Sequence, residues 1–216
     1  GVCNSEVMMV SKACWLVGFV VVSGVVMGVL SACGDDPAGT DQNQPQVVST
    51  TTVPENLSWS IGPAGLNQPK NTVDGPFQSS PVPHGFSATP QGALLAAITA
   101  QVWMAGADDK AFPEVANHLL EPGPGRDQWV QARALVTVDG RVTHPPLFAG
   151  FKFTEYTPDK AVILIAVKQP DGAITAYPVQ VSHSSGDWRV VNPTQDAAPD
   201  LVEITADQLN KEFIPL

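Results

Sequence analysis

Basic residues are scarce in this chain. Lys and Arg number 11 against 21 Asp and Glu, the formal net charge is −10, and no basic run occurs anywhere. Nucleic acids and anionic lipid surfaces are recognised by clustered Lys and Arg, so neither is expected as a partner. Cysteine is nearly absent too. Of the three, Cys3 and Cys14 fall in or before an apolar segment expected to be removed, which leaves Cys33 alone. One cysteine forms neither an intramolecular disulfide nor a cysteine zinc centre. Stability must then come from an apolar core, which roughly 130 residues of folded domain can build. The four histidines, His84, His118, His144 and His183, show no HxxxH or HxH spacing, so no metal and no other cofactor is expected.

Long apolar runs are likewise missing, with one exception. Ala13 to Val29 carries no charge, follows Lys12, and leads into Leu30-Ser31-Ala32-Cys33. Positive, apolar, small, cysteine is the order of a bacterial lipoprotein signal peptide. The expected lipobox is Leu30, Ser31, Ala32 and Cys33, with the Cys33 thiol alkylated by a diacylglycerol before cleavage makes it the first residue. Acyl chains hold a protein at a membrane with ~0.8 kcal/mol per buried CH₂, and two hold far better than one. Read instead as an uncleaved anchor, Ala13 to Val29 sits at the lower edge of the roughly 17–25 residues that span a bilayer. Either reading leaves the following chain on the extracytoplasmic face of the cell membrane, because Lys12 is the only positive charge near the segment. The chain begins at Gly1, and Met8 or Met9 is the expected initiator.

The organisation expected is a signal peptide at 1–32, a disordered Pro/Thr/Gln linker at 33–56, a globular α+β domain at 57–195 and an acidic tail at 196–216. The linker has too little apolar surface to offset its ordering entropy, and at ~5–6 Å × √n it lets the domain range about 25 Å from the membrane. Residues 57–88 read as an irregular Pro/Gly-rich arm, pinned by Trp59 and Phe86. Thr89-Pro90 opens the first helix as cap and first-turn proline. Leu94, Leu95, Ile98, Val102 and Ala105 then recur at helical spacing up to Gly106. A second helix is expected over 109–120, and a third over 126–135 with Trp129 and Ala132 inward. Asp108-Asp109 reads as a helix cap.

Four strands follow, over 147–156, 161–167, 173–183 and 188–191. Turn chemistry joins them: Thr157-Pro158-Asp159-Lys160, Gln169-Pro170-Asp171-Gly172 and Ser184-Ser185-Gly186-Asp187. Val162-Ile163-Leu164-Ile165-Ala166-Val167 is apolar at every position, which predicts a strand covered on both faces. The fold expected is therefore N-terminal helices packed on a curved four-stranded antiparallel meander. The acidic tail has helical spacing at its end, and its docking is left open.

Four motifs occur in order: Gly85-Phe86-Ser87-Ala88-Thr89-Pro90-Gln91-Gly92-Ala93, Gly125-Arg126-Asp127-Gln128-Trp129, Tyr156-Thr157-Pro158-Asp159 and Gly186-Asp187-Trp188-Arg189. Over Leu57 to Pro193 the set resembles an uncharacterised family of actinobacterial lipoproteins and membrane-anchored proteins, associated with plasmids and integrative conjugative elements. The last strand is similar to that of nuclear-transport-factor-like cone folds. The resemblance implies a cone-like domain, a membrane attachment and no known catalysis.

A cone can enclose a pocket. Its expected lining is Trp103, Trp129, Tyr177 and Trp188, with His144 or His183 at the mouth. No Asp or Glu lies in the buried strands to pair with a histidine for acid–base work, and such aromatics more often fill a core. Ser184-Ser185-Gly186 is a hairpin tip with no helix after it, and Gly123-Pro124-Gly125-Arg126 lacks an N–H that a phosphate loop needs. The reading is a non-enzymatic, lipid-anchored structural or interaction subunit of a cell-envelope or conjugative-transfer complex, with envelope proteins as partners. The alternative is a small-ligand- or lipid-binding cone.

Overall fold

The computed structural model describes residues 48–70 and 73–216. The signal segment, the lipobox Leu30 to Cys33 and most of the linker lie outside the described residues. Among the described residues no helix is long and apolar enough to cross a membrane.

Helix α1 (Pro90–Gly106) starts where capping chemistry starts it. Thr89 is extended, its hydroxyl accepts from the Gly92 N–H at 3.0 Å, and Pro90 occupies the first turn. Its residues from Gly92 to Ala100 are all buried, so α1 is a central core helix rather than one with a single apolar face. Ala105, expected inward, is exposed where the helix leaves the core. Helix α2 (Phe112–His118) is shorter than expected, because the Asp108 carboxylate accepts from the N–H groups of Lys110 and Ala111 and holds the residues before Phe112 in a turn. Helix α3 (Pro124–Arg133) begins at its proline, two residues before the expected start.

On α3 the inward residues are Gly125, the partly buried Trp129 and Arg133, and Ala132 is exposed, contrary to expectation. Arg133 is only 5% exposed. Its guanidinium donates to the carbonyls of Val136 (2.7 Å) and Ala107 (2.8 Å), pairs with Asp109 (2.9 Å) and lies 4.8 Å over the Phe112 ring. The Arg133 hydrogen bond holds the Asp109 carboxyl below its ordinary value of 3.8. This contribution is present above that value and is lost as pH falls through the lowered one. Arg133→Ala is expected to cost about 2–4 kcal/mol, since it leaves the buried Ala107 carbonyl unpaired and opens a cavity. Asp109→Ala, at an exposed partner, should cost clearly less in the same urea titration.

The main sheet is antiparallel and six-stranded, a correction to the expected four. Strands β3 (Leu147–Thr157), β4 (Lys160–Lys168), β5 (Ile174–Ser182) and β6 (Arg189–Val190) form the meander. The other two come from the C-terminal segment: β7 (Val202–Ile204) pairs with β5, and β8 (Ile214–Pro215) pairs with β3. Helix α4 (Ala206–Glu212), closed by a capping box at Thr205 and Gln208, runs between them. The acidic tail thus docks on the core, crossing from the β5 edge to the β3 edge. Strand β4 is covered on both faces, as its composition predicts. Ala161, Ile163, Ile165 and Val167 join the main core with α1, while Ala166 and Leu164 pack with Ala176, Ile204, Leu209 and Phe213.

The arm is also corrected. It contains a hairpin, β1 (Ser58–Ile61) and β2 (Asn67–Lys70), joined through a 3-10 turn at Pro63–Gly65. Trp59 stacks on Phe148 at 5.8 Å, and Phe86 is buried. Val82, which has no periodic neighbour to mark it, is completely buried. The end of the segment read as linker is held as well: Gln91 donates to the carbonyls of Ser49 and Thr52, both at 2.9 Å, and Pro54 is buried.

Candidate functional site

Two carboxylates hold the arm in place. Asp74, 8% exposed, accepts from the hydroxyls of Ser87 (2.7 Å) and Thr89 (2.9 Å), tying the arm to the cap of α1. Asp187 accepts from the backbone N–H groups of Gly85 (2.8 Å), Phe86 (2.8 Å) and its own neighbour Trp188 (2.9 Å). The Gly85-Phe86 motif and the Gly186-Asp187-Trp188-Arg189 motif are therefore two halves of one clamp. Beyond it, Phe77 and Gln78 pair with Gly85 and His84 through three backbone hydrogen bonds of 2.8–3.0 Å.

Between this pinned arm and the β1–β2 hairpin lies a groove of about 460 Å³, within the size range of ligand sites. Ser60, Gln68, Pro69 and Lys70 line it from the hairpin, and Pro76, Phe77, Gln78, Ser79 and Pro83 from the arm. The hairpin wall is fixed from behind, because the Trp103 indole N–H donates to Gln68 Oε1 at 2.9 Å. Phe77 stands 58% exposed at the groove. Lys70 is the one charged residue of the lining, and it makes no ion pair among the described residues.

The four aromatics expected to line a pocket lie outside the lining of this groove. Trp188 is completely buried, and its indole N–H has no acceptor among the described residues. Its ring meets His183 at 5.1 Å and Tyr156 at 6.2 Å. Trp129 packs edge-on against Phe112 at 6.3 Å, Trp103 backs the groove through Gln68, and Tyr177 packs against the main core. Burial pushes the phenols of both Tyr156 and Tyr177 up. Among the described residues no ring contact joins any two of Trp103, Trp129, Tyr177 and Trp188, and none of them lines the groove. His144 is exposed in the loop before β3, and His183 lies against the Trp188 ring.

One juxtaposition has no signal in histidine spacing. His84 and His118 lie with ring centroids 4.3 Å apart, and His118 also meets Glu114 at 3.4 Å. The Glu114–His118 contact is readable as an i, i+4 pair on α2, whereas His84 arrives from the arm. His84 Nδ1 lies 2.7 Å from the Val82 carbonyl. Among the described residues no group of three or more His, Cys, Asp or Glu is arranged to hold a metal ion.

No curated protein and no solved structure matches the chain. A family model does match, over residues 28–208, and the chain belongs to that family, described as a domain of unknown function, DUF8175.

Proposed function

We propose that the protein is a lipid-anchored, extracytoplasmic, non-enzymatic subunit of a cell-envelope or conjugative-transfer complex, and that its domain binds another protein. The observation that carries this is the groove, whose walls are each fixed by hydrogen bonds to the core while Phe77 is left open to solvent. Walls that need no rearrangement lower the cost of binding. The anchor rests on the lipobox, and the family match begins at residue 28 and so includes Leu30 to Cys33. The resemblance to actinobacterial lipoproteins of plasmids and conjugative elements supports the same assignment. A cone-like sheet is supported by β3, whose pairing with β4 shifts register at Phe148/Gly150 and Phe153/Glu155, irregularities of the kind that bend and twist a strand.

The test is affinity purification of the tagged full-length protein from its own membranes, beside Cys33→Ala. Envelope proteins are expected to co-purify with the wild type and to be lost or much reduced with the variant. Recovery of the protein without partners, in both cases, contradicts the proposal.

A further inference from the structure

We infer that the groove between β2 and the arm takes a short peptide segment of a partner protein, one that sets an acidic side chain beside proline or aromatic rings. This rests on the interaction-subunit reading and names the chemistry of its partner. The lining is mainly apolar, and its flat surfaces, the exposed Phe77 and partly exposed Pro76 among them, suit ring faces better than flexible aliphatic chains. Lys70 is its single charge and has no carboxylate partner among the described residues, so the complementary group is a carboxylate. Gln78 and Ser79 on the arm wall supply an amide and a hydroxyl that serve peptide groups.

The hairpin also decides how a peptide cannot bind. Gly62 donates to Leu66, and counting along the ladder places Trp59 opposite Pro69 in a pair that exchanges no hydrogen bonds. Residue 69 therefore turns its backbone toward the open edge of β2, where proline offers no N–H. Addition of a further strand is disfavoured there, one ladder donor being missing, and recognition runs mainly through side chains. Such contacts carry sequence preference, whereas strand addition draws on main-chain bonds common to all sequences.

The experiment uses the full-length protein in detergent and a synthetic library of capped pentapeptides. Each has a central Asp or Glu flanked by every combination of Pro, Phe, Tyr and Trp, and a matched library carries Asn or Gln instead. Acidic members are expected to bind, with at least tenfold weaker binding for their amide counterparts and for Lys70→Glu or Phe77→Ala protein. Both positions are exposed, so thermal melting of the two variants should match the wild type. Absence of binding by every acidic member, or binding indifferent to the central charge and to both substitutions, overturns the inference. If the peptides fail while envelope proteins still co-purify from membranes, the partner chemistry is wrong and the subunit reading stands; failure of both removes both.

Discussion

Gly125→Ala is expected to destabilise the protein by about 3–4 kcal/mol, at the upper end of what overpacking costs. A Cβ at this position would lie 1.8 Å from the carbonyl oxygen of Asn192 and 2.6 Å from its carbonyl carbon. Both are backbone atoms, so no rotamer change relieves the clash. The first turn of α3 must instead lift from the strand exit after β6, breaking the bond from Asn192 Nδ2 to the Gly125 carbonyl (3.0 Å) and that from Gln195 N–H to Gln128 Oε1 (2.9 Å). Gly123→Ala is the control two residues away. Its backbone is extended, at φ 162°, and a Cβ there meets nothing within 4 Å. A change under about 0.5 kcal/mol is expected for it. Urea denaturation of both variants, followed by tryptophan fluorescence, compares them directly. Near-equal midpoints would mean that α3 does not rest on residues 192–195.

Asp187→Ala is the second large effect, at about 3 kcal/mol. Hydrogen bonds to a charged group each contribute roughly 1.5–3 kcal/mol and do not add in full. Three backbone N–H groups, those of Gly85, Phe86 and Trp188, lose their acceptor together. Asp187→Asn keeps one acceptor oxygen but turns an amide donor toward another donor, so roughly half the loss is expected. The damage should be local before it is global. With Gly85 and Phe86 released, the amides of Gln78 and His84, which bond each other's carbonyls at 3.0 and 2.9 Å, should exchange with deuterium much faster, while those of α1 change less. Uniform acceleration across the domain would deny Asp187 its role as the clamp of the groove wall.

Sequence reading recovers what is decided locally. Thr89-Pro90 is sufficient to start α1, because a cap and a first-turn proline act within four residues. The turns of the meander are legible for the same reason, and so is β4, whose unbroken apolar run has no solvent face to spare. What escapes is decided at a distance. Strands β7 and β8 are three and two residues long, too short for any period, and exist because β5 and β3 have edges to offer. The inward residue of α3 is Arg133 rather than Ala132 because a buried guanidinium finds the Ala107 carbonyl, Asp109 and the Phe112 ring, all supplied from the segment before α3, besides the Val136 carbonyl three residues on. The groove is the extreme case. Its arm wall depends on Asp187, about a hundred residues on, so the two motifs that form the clamp are visible separately while their contact is not. Trp103, Trp129, Tyr177 and Trp188 make no ring contact with one another among the described residues, since shared core membership does not by itself bring four rings together.

The most direct test of the account is photo-crosslinking of the full-length protein in its own cells. Gln78→p-benzoylphenylalanine places the probe on the groove wall, and the same replacement at the exposed Gln180 on β5 places it elsewhere. The account predicts a discrete adduct with an envelope protein from position 78, none from position 180, and loss of the adduct when Lys70→Glu is added. No adduct from position 78, or one that ignores both position and Lys70, would contradict it.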